Sequence, residues 1–340
     1  MHFMRLIRLI RPIGLIRLMH LTALWCVASA AFTAIPALAE EISNPAASKT
    51  LTTASVAINA AANTNANANA NTNVDADQLP YTVERFTLPG PVMGVAVKVD
   101  LADPRVKVQV ALADNRASDG DGLAVGRLDT PSQVARKFDF DITLNASYFA
   151  APLAKFWNSK KTHYFVGNGA YPVGWHFSDQ KLIASPINDK LRATMIVHKD
   201  SSITIENDVK KLPANTQFAV SGNAMMLTNG EPTPPAIDAA RNPRSAVGLS
   251  ANGKTLILVA VDGRSDKSIG VTLTELANIC RRFGAANAIN LDGGGSTAMV
   301  IKDHASGVYA IANQPSDTLS HKWPIAVERP VVDVIGIRLH

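Results

Sequence analysis

The stretch "KTLILVAVDGRSDKSIGVTLTELANICRRFGAANAINLDGGGS", residues 254–296, decides how the chain is read. "TLILVAV" (255–261) is apolar at every second position and also between them. A strand covered on both faces has that pattern. It ends at Asp262-Gly263-Arg264. Thr272, with Glu275 three residues on, is a capping box that starts a helix. Leu276, Cys280 and Phe283 recur at i, i+4 and i+7 and form its buried stripe, and Gly284 stops it. "ANAINL" (286–291) then reads as a second strand, ending in Asp292-Gly293-Gly294-Gly295-Ser296-Thr297.

Strand, helix, strand predicts a right-handed crossover between parallel strands. Parallel strands bring Asp262, Arg264 and Asp292 to one carboxyl edge, where α/β sheets bind their ligands. The expected fold is therefore α+β or α/β. It is one domain with a mixed β-sheet core, a βαβ unit at about 255–291, and flanking helices.

Outward from this unit, "RSAVGLS" (244–250) and Asn252-Gly253 predict a hairpin into 255–261. "GVAVKVDL" (94–101), "VKVQVAL" (106–112) and "FDITLNASYF" (140–149) read as strands, and 193–207 as a hairpin. "TPSQVARKF" (130–138) reads as a short helix capped by Thr130, with Pro131 in its first turn.

The ends of the chain have other characters. Arg5, Arg8, Arg11 and Arg17 precede an apolar run that closes on Ala37-Leu38-Ala39. That is the form of a cleaved signal peptide over 1–39, so the chain is expected to be exported, periplasmic or secreted. Residues 40–80, with "NTNANANANTN" at 63–73, have the composition of a disordered Ala/Asn/Thr-rich linker. The folded domain is expected over 81–340. The whole chain carries a formal net charge of +5, and losing the four signal arginines leaves +1. No nucleic-acid or membrane-surface partner follows from that charge once the signal is removed. The mature chain keeps one cysteine, Cys280, which reads as a buried helix residue, so no internal disulfide supports the fold.

Chemistry gathers at the two strand ends. Asp262 and Asp292 can be turn residues, or paired carboxylates that share acid, base and nucleophile duties. Gly293, Gly294 and Gly295 can be a tight turn, or a nest of amides that receives an anion; a helix starting at 296–300 would reinforce the nest. On residues alone both readings stand. Arg264 and Arg244 suit an anionic group. Glu275 belongs to the helix cap. The histidines, among them His163, His176, His198, His304, His321 and His340, show no metal-ligand spacing, and no cofactor is evident. A metal site assembled in three dimensions stays open. The chain has neither a P-loop lysine after its glycines nor a serine-hydrolase elbow.

The segments "NPRSAVGL" (242–249), "VAVDGR" (259–264) and "GVTLTELANICRRFGAANAINLDGGGSTAMV" (270–300) resemble the phosphodiester glycosidase domain family. "NASYF" (145–149), "AVSGNAMMLTNGEP" (219–232) and "ERP" (328–330) resemble it more loosely. The resemblance implies hydrolysis of a sugar-1-phosphodiester of the N-acetylglucosamine-1-phosphodiester kind, found in envelope or extracellular glycans. It implies Asp292 as the central acid and Asp262 as its partner. Gly293, Gly294, Gly295, Ser296, Thr297, Arg264 and Arg244 would hold phosphate, with Asn145 and Tyr148 at the sugar or phosphate. A binding protein for phosphorylated exopolysaccharide, and a phosphodiesterase that cuts P–O, are the competing readings.

Overall fold

The computed structural model describes residues 78–114, 125–151, 164–187, 191–233, 240–318 and 325–340. The expected signal peptide and nearly all of the expected linker lie outside them. Among the described residues the protein is built mainly of strands, with two α-helices, Pro131–Phe138 and Leu273–Arg282.

The largest sheet has seven strands, in the order Tyr81–Leu88, Val92–Asp100, Thr255–Val261, Arg244–Leu249, Asn287–Asn290, Ala224–Thr228 and Glu231–Pro232. Each neighbouring pair runs antiparallel. A second, five-stranded sheet runs Tyr309–Ile311, Met299–Lys302, Ile142–Asn145, Asp333–Leu339 and Val106–Leu112. A third, also of five strands, contains Ala193–His198 and Ile203–Glu206, the hairpin expected at 193–207.

The Thr255–Val261 strand shows why both faces had to be apolar. Leu256, Leu258 and Ala260 join one core cluster together with Val108, Ile335 and Met195 from the other two sheets. Ile257, Val259 and Val261 join a second cluster with Leu276, Ala277 and Cys280 of the helix and Phe283 just past its end. The strand is thus sandwiched between a helix and a β layer. Truncating Leu258, fully buried, to alanine costs about 2–5 kcal/mol by the usual cost of a core cavity.

The expected mixed sheet with a parallel pair is corrected. Thr255–Val261 and Asn287–Asn290 are not neighbours, because Arg244–Leu249 lies between them and is antiparallel to both. Two strands antiparallel to the same third strand share a direction. Asp262 and Asp292 therefore still follow the same ends of their strands, one strand apart. The intervening strand comes from the preceding hairpin, which fills the gap that the helical crossover spans.

The helix is as expected: Thr272 accepts from the Glu275 amide, Glu275 answers to the Thr272 amide, and Gly284 follows with φ +99°. Thr130 caps the other helix, which opens on Pro131. Local details differ. The Asn252-Gly253 turn is four residues wide, 251–254, closed by the Ser250 amide on Thr255 O. The expected strand 140–149 stops at Asn145, where the chain turns into the site. The helix that would have reinforced the nest at 296–300 is not formed: the loop makes one 3₁₀ turn, Gly294–Ser296, followed by strand Met299–Lys302.

Candidate active site

The site forms where the loop after Asn287–Asn290 passes from the first sheet to the second. Leu291 N–H donates to Ser245 O at 2.9 Å, and Asp292 N–H donates to Ala146 O, also at 2.9 Å. Asn145, 1% exposed, clasps the loop from behind. Its Nδ2 donates to Asp292 O at 2.7 Å, and its Oδ1 accepts from Ser245 Oγ at 2.6 Å and from Ala298 N at 3.2 Å. Through these three bonds Asn145 holds the Asp292 loop in place.

The glycines serve close approach more than an open amide nest. Gly293 N–H donates to Asp292 Oδ1 at 2.9 Å and Gly294 N–H to Pro243 O at 2.8 Å, so two of the expected cradle donors are already engaged. A Cβ on Gly293 would lie 2.7 Å from Pro243 O. Gly294 has φ +62°, and a Cβ there would meet the Arg264 guanidinium at 2.9 Å. A Cβ on Gly295 would lie 2.1 Å from Asp317 Oδ1 and 2.2 Å from Arg329 Nη2. Bare backbone lets charged side chains press against the loop from both sides. Ser296 and Thr297 are both buried.

Asp292 is the half-buried acid of this loop. Burial pushes its carboxyl up to about 6; the Ser296 hydroxyl, Arg329 and the Gly293 amide pull back, and the charge of Asp333 pushes further up. Tyr148 stands nearby. Burial and the Asp292 charge raise its phenol to about 12, so it is a neutral hydroxyl at physiological pH. Asn290 Nδ2 donates to Tyr148 Oη at 2.9 Å and to Asn223 Oδ1 at 2.8 Å.

Three other expected residues are Arg264, Asp262 and Arg244. Arg264 is exposed, stands in the left-handed region (φ 62°), lies over Gly294, and donates to Asn242 Oδ1 at 3.2 Å. Asp262 is buried, and its carboxyl is raised by burial. Its Oδ1 accepts from Gln314 N at 2.8 Å and Asn313 Nδ2 at 3.2 Å. Asn313 in turn donates to Thr297 O and accepts from Met299 N. Asp262 thus anchors the 313–314 segment against the loop and shares no hydrogen bond with Asp292 among the described residues. Arg244 donates to Val271 O and Ala240 O, each at 3.0 Å, with its charge felt at Tyr148.

Over residues 143–338 the chain matches the phosphodiester glycosidase family. It belongs to that family. Among its relatives, the Bos taurus N-acetylglucosamine-1-phosphodiester alpha-N-acetylglucosaminidase is 39% identical over 74 residues, covering 22% of this chain and 12% of the relative. The SPbeta prophage-derived protein YomE of Bacillus subtilis is 36% identical over 97 residues, covering 28% of this chain and 13% of that one. The chain thus matches only about an eighth of the length of either relative. Among solved structures, the catalytic domain of the zebrafish N-acetylglucosamine-1-phosphodiester alpha-N-acetylglucosaminidase, auto-inhibited by its pro-peptide, superposes with a TM-score of 0.53 at 20% identity. That likeness covers 78% of this chain and 85% of that chain. A Burkholderia pseudomallei K96243 structure gives 0.52 at 15% identity, covering 73% and 74%. These likenesses show a shared fold.

Several residues around this loop were not singled out by motif. Arg329 donates from Nε to Asp317 Oδ2 at 2.8 Å and from Nη2 to Asp317 Oδ1 at 3.1 Å, and stacks 4.5 Å over the Tyr164 ring. It lies within "ERP", which the family resemblance includes without a role. Behind Asp292, the fully buried Asp333 accepts from Ser147 N at 2.8 Å and Ser147 Oγ at 2.7 Å, and pairs with His176 Nδ1 at 2.6 Å. His176 Nε2 meets Ser178 Oγ at 3.0 Å. Neither His176 nor Asp333 has a neighbouring sequence partner that would reveal the pair. Two residues are structural as expected: Glu275 closes the helix cap and pairs with Arg241, and Cys280 is a free buried thiol raised to about 12 by burial.

Proposed function

We propose that this chain hydrolyses the glycosidic C–O bond of a sugar-1-phosphodiester, of the N-acetylglucosamine-1-phosphodiester kind, in envelope or extracellular glycans. The observation that carries the reading is a carboxyl raised to about 6, Asp292, on a glycine loop flanked by two arginines, Arg264 and Arg329. Perturbed acids beside fixed cations mark sites of charge-separating chemistry.

The roles follow from the chemistry. The bond between the anomeric carbon and a phosphate oxygen breaks, the phosphate leaves as a stable monoester anion, and water supplies the sugar's new hydroxyl. Such a leaving group needs little protonation, so a general acid matters less than in ordinary glycoside hydrolysis. Cations near Gly294 and Gly295 favour the departing phosphate. Asp292, ionised, stabilises or attacks the oxocarbenium-like carbon. Tyr148, neutral, can donate to a sugar or phosphate oxygen. Asp262 holds the loop through Asn313 and Gln314.

Run in ¹⁸O-labelled water, the reaction is expected to put the label on the sugar's anomeric oxygen and none on phosphate. Label on phosphate identifies a phosphodiesterase. Retention of the phosphorylated glycan without turnover identifies a binding protein. The same reading places the enzyme outside the cytoplasm, on the strength of the signal-like segment 1–39. N-terminal sequencing of the mature protein is then expected to start at Glu40.

A further inference from the structure

We propose that Arg329 is the principal anion-binding side chain of this site and that Asp317 is its internal occupant, displaced by the phosphate group of the substrate and restored when product leaves. The inference rests on the hydrolytic reading above and adds a ligand and a competitor to it.

The geometry is that of an occupied anion site. Arg329 offers two N–H groups in a fork, and the two Asp317 oxygens fill it at 2.8 and 3.1 Å. A phosphate presents the same two-oxygen face to a guanidinium. The pair presses on the one position of the loop where the absent Cβ matters most: it would come within 2.1 Å of Asp317 and 2.2 Å of Arg329. Gly295 is three residues from Asp292, and the Arg329 charge is felt at the Asp292 carboxyl. An anion taking the place of Asp317 would therefore lie beside the acid.

Two further observations separate an exchangeable occupant from a structural brace. The Arg329 guanidinium also lies 4.5 Å from the Tyr164 ring centroid, a contact made without Asp317. Both side chains remain in reach of solvent, Arg329 at 20% and Asp317 at 30% exposure. A pair open to solvent to this degree can be reached by a dissolved anion. Asp317 lies on the short ribbon Asp317–Thr318 with Ala326–Val327, at the ribbon's end pair with Val327. Exchange leaves the charge around Arg329 nearly unchanged with a singly charged diester. A monoester product carries more negative charge and holds Arg329 more tightly, so a competing Asp317 carboxylate is what assists its release.

The test is calorimetric titration of the full chain with inorganic phosphate. Asp317→Asn is expected to bind phosphate about fivefold more tightly or better, the scale of one exposed ion pair removed as a competitor. Arg329→Gln is expected to lose binding, and Arg329→Gln with Asp317→Asn to show no gain over Arg329→Gln. In the unaltered protein, the Arg329 Nε–H resonance, assigned by its loss in Arg329→Gln, is expected to move on phosphate addition. Unchanged or weaker binding by Asp317→Asn, undiminished binding by Arg329→Gln, or an unmoved Arg329 resonance would overturn the proposal. Turnover with C–O cleavage but no gain in Asp317→Asn sinks this inference alone; phosphate binding as expected without turnover sinks the hydrolytic reading alone.

Discussion

Asn145 donates its side-chain amide to the main-chain carbonyl of Asp292 at 2.7 Å, joining the end of a strand in one sheet to the acid that follows a strand in another. The same side chain accepts from Ser245 and Ala298. One buried amide therefore sets where the Asp292 loop begins and where it ends. Asn145→Ala is expected to lower unfolding stability by about 2–4 kcal/mol, since it strands buried partners as well as losing their bonds. Chemical denaturation with activity measured in parallel checks this. A fully stable, fully active variant would show that the clasp is dispensable.

Asp292→Asn is expected to reduce kcat by ~10²-fold or more, the scale of losing a catalytic carboxylate. Asp262→Asn is expected to lose far less, because its part is to hold Asn313 and Gln314, and an asparagine oxygen can still accept. The Asp292 variant also has a stability signature. Its carboxyl is raised from 3.8 to about 6, so the folded state holds that proton more tightly than the unfolded chain does. Wild-type stability therefore falls as pH climbs through that window and stays lower above it. Asp292→Asn has no charge to bury, so it is expected to melt above the wild type near neutral pH, with the gap closing as pH approaches 4. Parallel melting curves at all pH values would disprove the burial account.

The pH dependence of kcat/KM provides a third check. If Asp292 works ionised, activity rises with pH through about 6. The negative charge of Asp333 raises that value and the positive charge of Arg329 lowers it. Asp333→Asn is expected to move the limb to lower pH, and Arg329→Gln to move it to higher pH. Shifts in the same direction for both variants would remove Asp292 as the titrating group.

Two glycine substitutions separate folding from function. A Cβ on Gly222 would lie 2.0 Å from the backbone oxygen of Asn290, which cannot yield without moving the sheet. Gly222→Ala is expected to cost about 1–3 kcal/mol or more, as overpacking does. The nearest atoms to a Cβ on Gly295 are side-chain ends, of Asp317 and Arg329, rather than backbone. Gly295→Ala is expected to stay nearly as stable as wild type while kcat/KM drops on the order of tenfold or more, from a misplaced cation. Thermal melts beside steady-state kinetics distinguish the two; equal destabilisation would mean the Gly295 contacts are structural.

Much of the fold was legible along the chain because local rules govern it. The capping box at Thr272 and Glu275, the stripe of Leu276, Cys280 and Phe283, and the two-faced apolar strand 255–261 each depend on residues a few positions apart. That Asp262 and Asp292 follow strands of one direction was legible from the helical crossover between them. What only the tertiary structure decided involves residues far apart in sequence. Arg244–Leu249 slips between the two strands of the crossover and turns the sheet antiparallel, because strand order is set by long-range pairing that no local pattern encodes. The glycine loop looked like an amide nest, yet its first two amides turn inward to Asp292 and Pro243. Asp317 and Arg329 converge on Gly295, and His176, Asp333 and Ser147 converge behind Asp292, from strands and turns whose approach depends on how the sheets pack. Backbone conformation and amphipathic pattern are local physics; which charges face one another across the site is a property of the assembled layers.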